Sequence, residues 1–270
     1  GRLLVIDRPV VMGILNTTPD SFYSGSRVNE SGILQRAEQM LNEGAAILDI
    51  GGQSTRPNAV PVPEAEELKR VLPAIEMIHR RFPEAVISVD TYQSSVAAQA
   101  VAAGASIVND VSGGSMDETL IGTVAKLGVP YVCMHIKGTP ETMQQLADYD
   151  DVAREVLDYF IEKVALCREA GIRDVIIDPG FGFAKTTQHN LQLLQRMEVF
   201  RMPDCPLLAG ISRKATIYKT LNISPEQALN GTTVLNTIAL LKGANILRVH
   251  DVKEAVEAIT LVGNYQQAYC

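Results

Sequence analysis

The run Asp178-Pro179-Gly180-Phe181-Gly182-Phe183 follows an apolar stretch, Val175-Ile176-Ile177. It sets a carboxylate where a strand would end, then a turn with two glycines and two aromatic rings beside it. Such a carboxylate suits a flat heterocycle with a guanidine-like N–H edge, because two parallel charge-assisted hydrogen bonds fix the ring. An ordinary turn with a capping Asp uses the same residue types, so the run alone leaves both readings open.

Other chemistry-bearing residues follow short apolar runs in the same way. Asn16 is followed by Thr17-Thr18-Pro19-Asp20-Ser21-Phe22, and Gly51-Gly52 by Gln53-Ser54-Thr55-Arg56-Pro57. Asp90, Asn109-Asp110, Met134-His135, Ser212-Arg213-Lys214 and Arg248-Val249-His250-Asp251 complete the series. Arg248 and His250, two apart on a strand, project to one side, and offer an anion a cationic fork and an imidazole. Ser212 and Lys214 can do the same. With Arg56, three basic side chains surround one mouth and point to an anionic, phosphorylated substrate. No nucleophile stands out. There is no GxSxG, and Cys133 sits inside an apolar run. Chemistry then rests on positioning and charge stabilisation, which fits an alkylation with a phosphate leaving group.

The elements that would hold these residues alternate regularly. Strands are expected at Val10–Asn16, Ile47–Gly52, Ala85–Asp90, Ile107–Val111, Tyr131–Ile136, Asp174–Asp178, Leu207–Ser212 and Ile246–His250. Each is short and rich in Ile, Val or Leu, as strands buried on both faces should be. Helical stripes lie between them, as in Ile33-Leu34-Ala37-Met40-Leu41, Leu68-Val71-Leu72-Ile75-Ile78 and Val152-Val156-Phe160-Val164-Cys167. Gly44, Gly104, Gly128, Gly171 and Gly243 each precede a strand, where a helix C-cap belongs. A Gly-Ala step recurs at Gly44, Gly104 and Gly243. Eight such units point to a single-domain (β/α)8 TIM barrel over residues 1–270. A doubly wound sheet is the runner-up, disfavoured because no GxGxxG follows the first strand. In a barrel, chemistry belongs at the C-terminal strand ends, where these polar residues lie.

Composition narrows the class. The chain has 270 residues, 46% hydrophobic and 20% charged, with a net charge of −7. That balance disfavours a general nucleic-acid surface. No stretch approaches the roughly 18 apolar residues of a membrane span, and no signal peptide is visible. Four scattered cysteines (Cys133, Cys167, Cys205, Cys270) form no CxxC, and four histidines form no HExxH. Reduced thiols in a cytoplasmic protein are the expectation.

The motifs GILNTTPDSF, LDIGGQSTRP, SVDT, IVNDVSGG, CMH, DPGFGF, GISRK and RVHDV occur in this order from Val10 to about Ile259. In content and order the chain resembles the dihydropteroate synthase family. The resemblance implies a TIM barrel that joins (7,8-dihydropterin-6-yl)methyl diphosphate to 4-aminobenzoate, giving 7,8-dihydropteroate and pyrophosphate in folate synthesis. Sulfonamides compete with 4-aminobenzoate in such enzymes. By motif, Asp178 would grip the pterin N2/N3 edge, Asn109 the N1/N2 region, and Asp90 would accept from the N8 side. Lys214 would donate to O4 and N5, and Arg248 would stack on the ring. Met134 and Phe183 would wall the pocket, and Gly210 would allow close approach. Phe22, Thr55, Arg56, Pro57 and Ser212 would hold 4-aminobenzoate. Asn16, Arg248 and His250 would hold the diphosphate, Asn16 through Mg2+. The catalytic set is then Asn16, Arg56, Lys214, Arg248 and His250. The resemblance also implies a homodimer through outer helices.

Strand parity leaves Asn109 against Asp110, and Met134 against His135, undecided. The chain also departs from the family's common SFSDGG run. Tyr23-Ser24-Gly25-Ser26-Arg27 follows Phe22, which removes a loop carboxylate and adds Arg27. Two rivals share the barrel: a pterin-binding methyltransferase, and a pterin-binding barrel without catalysis. The STRP and SRK motifs argue against the first, and the altered first loop is the only support for the second.

Overall fold

A computed structural model describes residues 4–17, 26–53 and 62–268, with the side chains of 26–31 left aside. The elements run β1 (Val10–Asn16), α1 (Ser26–Asn42), β2 (Ile47–Gly51), α2 (Glu64–Arg81), β3 (Val86–Asp90), α3 (Ser94–Ala103), β4 (Ile107–Asp110) and α4 (Leu120–Leu127). They continue with β5 (Tyr131–Met134), α5 (Val152–Glu169), β6 (Val175–Asp178), α6 (Thr187–Gln195), β7 (Leu208–Ala209), α7 (Ala215–Leu221), α8 (Leu229–Leu241), β8 (Ile246–Val249) and α9 (Val252–Gln267).

The strands pair in parallel in the order β6-β5-β4-β3-β2-β1-β8-β7. A parallel bridge from Ile177 to Leu207 joins the two ends, and Ile177 N donates to Pro206 O at 3.0 Å. The sheet therefore closes, and the fold is a (β/α)8 TIM barrel, as the alternation predicts. An apolar floor fills its lower half, built from Met12, Ile47, Ile107, Val132, Ile176, Leu208 and Ile246. The alternate strand residues, such as Val11, Leu48, Ile50, Ile87, Val108 and Leu247, join the helices in the main core. The expected stripes are on the core side. Val152, Val156, Phe160, Val164 and Cys167 of α5 are all buried. The five expected C-cap glycines all have positive φ.

Five strands end sooner than the sequence suggests, β2, β4 and β8 by one residue, β5 by two and β7 by three. β7 keeps only Leu208 and Ala209. The chain then tightens into a turn, with Lys214 N donating to Ile211 O at 3.2 Å and Arg213 in a left-handed conformation. Ser212 is thus a loop residue. β8 ends at Val249 because His250 N donates to Ser212 Oγ at 3.2 Å instead of to a neighbouring strand. The parity argument that set Arg248 and His250 on one side therefore does not apply.

Candidate active site

Above the apolar floor the inward strand positions become polar. Register sets Asn16 opposite Gly51, Gly51 opposite Asp90, and Asp90 opposite Asn109. One layer below, Asp49 and Ser88 face each other and are fully buried. Period-2 alternation makes Asp49, Asp90, Asn109, Met134, Asp178 and Arg248 the continuation of the floor residues on their strands. The two open parity questions thereby close. Asn109 turns inward, where its Nδ2 donates to Asp49 Oδ2 at 3.0 Å. Asp110 turns into the wall and accepts from Tyr131 Oη at 2.6 Å, Ser112 N at 2.7 Å and Gly114 N at 2.6 Å. Met134 packs with Phe183, Val111, Ile136, Met143 and Ala184 in a small apolar cluster, whereas His135 points away to Lys185.

Arg248 organises the inner charges. Its Nε donates to Asp49 Oδ2 and its Nη2 to Asp90 Oδ2, each at 2.6 Å. Burial pushes Asp90 up to about 7, against the pull of Arg248, and Asp49 adds repulsion. Asp49 Oδ1 is buried, with no hydrogen-bond partner among the described residues. Motif reasoning missed Asp49. The signal was an acid inside the apolar run Ile47-Leu48-Asp49-Ile50, since a buried charge must be paired.

Asp178 lies at the end of β6, buried, and its Oδ1 accepts from Gly180 N at 2.8 Å. Burial raises its pKa, and Lys214, the Gly180 N–H, Arg248 and Lys185 oppose the rise. Lys214 donates to Phe181 O and sits 4.5 Å from the Phe183 ring centroid. Burial draws its ammonium down to about 8, with Asp178 resisting. A side-chain carbon at Gly210 would lie 3.5 Å from Asp178 Oδ2 and 3.8 Å from Lys214 Nζ. Position 210 therefore borders both charged groups, and glycine leaves the space beside them open.

Ser212 and His250 meet beside this cluster, with Ser212 Oγ 3.0 Å from His250 Nδ1. Arg36 Nη2 donates to His250 O at 2.8 Å. Asn16, half-buried, ends β1. Phe22, Thr55, Arg56 and Pro57 lie outside the described residues. Cys133 is fully buried and its thiol pKa is pushed well up, chiefly by burial, so it is an inert core residue. Among the described residues, Asp49, Asp90, Asn109, Asp178, Lys214 and Arg248 thus share one barrel end. Acceptors, an ammonium and a planar guanidinium can there meet a flat ring's donors, acceptors and face.

The family model described as "Pterin binding enzyme" matches residues 12–250. The dihydropteroate synthase of Escherichia coli K12 is 46% identical over 266 residues, covering 97% of this chain and 93% of that protein. The Yersinia pestis dihydropteroate synthase, solved with a sulfonamide drug complex, superposes with a TM-score of 0.93 at 42% identity, covering 99% and 98% of the two chains. The Xanthomonas albilineans dihydropteroate synthase with 4-aminobenzoic acid gives a TM-score of 0.91 at 41% identity, covering 97% and 95%. Its complex with 7,8-dihydropteroate gives 0.89 at 39% identity, covering 98% and 97%. With the acidic and basic side chains gathered at one barrel end, these likenesses mean that the chain belongs to the pterin-binding enzymes and, within them, to the dihydropteroate synthase family.

Proposed function

We propose that this protein condenses (7,8-dihydropterin-6-yl)methyl diphosphate with 4-aminobenzoate to give 7,8-dihydropteroate and pyrophosphate. The observation that carries this reading is the cluster around Arg248, which unites Asp49, Asp90 and Asn109 at the barrel end that also holds Asp178 and Lys214. The 4-aminobenzoate and 7,8-dihydropteroate complexes of the Xanthomonas relative support the choice of substrates.

The pterin enters with its N2/N3 edge on Asp178 and its N1/N2 region on Asn109. Asp90 accepts from the N8 side, Lys214 donates to O4 and N5, and Arg248 stacks on the ring face. Met134, Phe183 and Gly210 shape the pocket. Asn16, Arg56, Arg248 and His250 face the diphosphate, and their charge favours its departure before the amine bonds. The ring nitrogens delocalise the cationic methylene left behind, and Asp178 and Asp90 stabilise it. Phe22, Thr55, Arg56, Pro57 and Ser212 then hold 4-aminobenzoate, whose aryl amine attacks that carbon and loses a proton. Sulfonamides compete for this subsite.

The residues present fit a Mg2+ ion that arrives with the substrate. Asn16 offers an amide oxygen at the rim. Mg2+ keeps several waters and takes phosphate oxygens, so it needs few protein ligands. Among the described residues, no group of three or more His, Cys, Asp or Glu could hold a metal. When bound, Mg2+ would neutralise charge on the leaving diphosphate.

The protein acts as a cytoplasmic homodimer in this reading. No helix among the described residues is long and apolar enough to cross a membrane. The face of α8 and α9 exposes Val234, Ile238, Leu241, Leu261 and Tyr265, an apolar patch suited to a partner and built from outer helices.

Mixing both substrates with the enzyme and measuring pyrophosphate and dihydropteroate tests the function. Equal amounts of the two products are expected, and neither product without enzyme. Methyl transfer from a methylated folate without pyrophosphate release would favour the methyltransferase rival.

A further inference from the structure

Lys185 follows the Asp178–Phe183 turn and takes no part in the chemistry above, yet it is buried. Its Nζ donates to Phe183 O at 3.0 Å and to His135 O at 3.5 Å, and lies 2.8 Å from His135 Nδ1. Burial, then Lys185 and Lys137, draw His135 down to about 2. The imidazole is therefore neutral, and in the tautomer with its proton on Nε2 its Nδ1 accepts. Three acceptors thus meet the three N–H bonds of an ammonium.

The turn is built to bring Lys185 there. Ala184 has a φ of 49°, a left-handed conformation that costs a residue with a Cβ energy. A carbon added at Gly180 would fall 2.0 Å from His135 O, so the turn lies directly on the end of β5. From α6, Asn190 Oδ1 accepts from Gly182 N, and its Nδ2 donates to Thr186 O, each at 2.8 Å.

Charge balance points the same way. Asp178 interacts with Lys214, Arg248 and Lys185; burial, then Lys214 and Lys137, draw the Lys185 ammonium well below the ordinary lysine range, and Asp178 alone resists the fall. Glu155 pairs with Lys137 at 2.9 Å, and the Tyr159 ring packs on His135 at 4.8 Å. At the barrel end Asp49, Asp90 and Asp178 lie beside the cations Lys214 and Arg248, and burial makes Asp90 keep its proton to about 7. A charged Lys185 offsets the Asp178 carboxylate there.

We propose that Lys185 is a positioning residue of the pterin site: its buried ammonium locks the turn bearing Asp178 and Phe183 onto the end of β5 and gives Asp178 a counter-charge. The inference rests on the pterin-binding reading above.

Calorimetric titration with 6-hydroxymethylpterin from pH 5 to 9, on wild type and Lys185→Met, tests it. Lys185→Met keeps the apolar stem and removes the charge. We expect it to melt cooperatively and bind about 30-fold more weakly, with the acid limb of binding moved up by about one pH unit. KM for the pterin diphosphate should rise while that for 4-aminobenzoate stays fixed. Wild-type affinity with an unmoved acid limb would overturn the proposal. Should Lys185→Met not fold, the wild-type lysine 15N spectrum decides. The Nζ in contact with the His135 ring must be an ammonium at pH 7.5, and a neutral amine there would overturn the proposal. Failure of the wild type to bind the pterin would sink the pterin reading instead, while the lysine spectrum would still report on Lys185.

Discussion

Arg248 Nε lies 2.6 Å from Asp49 Oδ2, although 199 residues separate the two in the chain. β1 alone stands between their strands. Asp49 also accepts from Asn109, so one buried carboxylate fixes two side chains assigned to the pterin. Removing it leaves the buried guanidinium with only its Asp90 bond to a carboxylate among the described residues. Asp49→Ala should cost about 3–5 kcal/mol of stability and lower kcat/KM about 100-fold. Thermal melts and steady-state kinetics check both. Unchanged activity in a stably folded Asp49→Ala would remove Asp49 from the site.

Lys214 sets an alkaline limit. Its ammonium, drawn down to about 8 by burial, must stay charged to make the proposed bond to the pterin. The pH profile of kcat/KM, which reports the free enzyme, should fall above about pH 8. Lys214→Gln should abolish that limb along with most of the activity.

Asp90 links pH to stability. In the unfolded chain it ionises near 3.8, but in the fold it keeps its proton to about 7. The native state therefore binds more protons across this window, and Asp90's contribution to stability falls as pH rises from about 4 to 7. Urea melts at pH 4.5 and 7 should show this slope shrink in Asp90→Asn. An equal slope in both proteins would contradict the assignment.

Arg213 carries strain next to Lys214. Its φ is 54°, and its guanidinium holds Asp251 through two bonds of 2.8 and 2.7 Å and the carbonyls of Pro225 and Glu226 at 3.1 and 2.8 Å. Arg213→Ala loses these bonds and keeps the strain. Arg213→Gly loses them and relieves it. Arg213→Gly should melt above Arg213→Ala, by a difference of about 1 kcal/mol, and both should lower kcat/KM as Lys214 loosens. The reverse melting order would show that the turn carries no strain.

Much of the fold is legible in the sequence. Val10–Asn16 and the polar strand ends follow from runs of β-branched residues closed by Asn, Asp or Gly, a local signal. Ile211 and Ser212 look like a continuation of β7, whereas the Arg213 clamp, set by Asp251 38 residues later, bends the chain away. Which of Asn109 and Asp110 faces inward depended on register with neighbouring strands, which no single strand encodes. Asp49 and Lys185 escaped because their partners, Arg248 and His135, are distant in sequence. Phe22, Thr55, Arg56 and Pro57 carry a family motif, but lie outside the described residues.

The most direct measurement is a crystal structure of the protein soaked with 6-hydroxymethylpterin. The account predicts the ring at the mouth of the barrel, its N2/N3 edge on the Asp178 carboxylate, its face against Arg248, and Lys214 at O4. A pterin bound elsewhere, or one in this pocket with its N2/N3 edge turned away from Asp178, would contradict it.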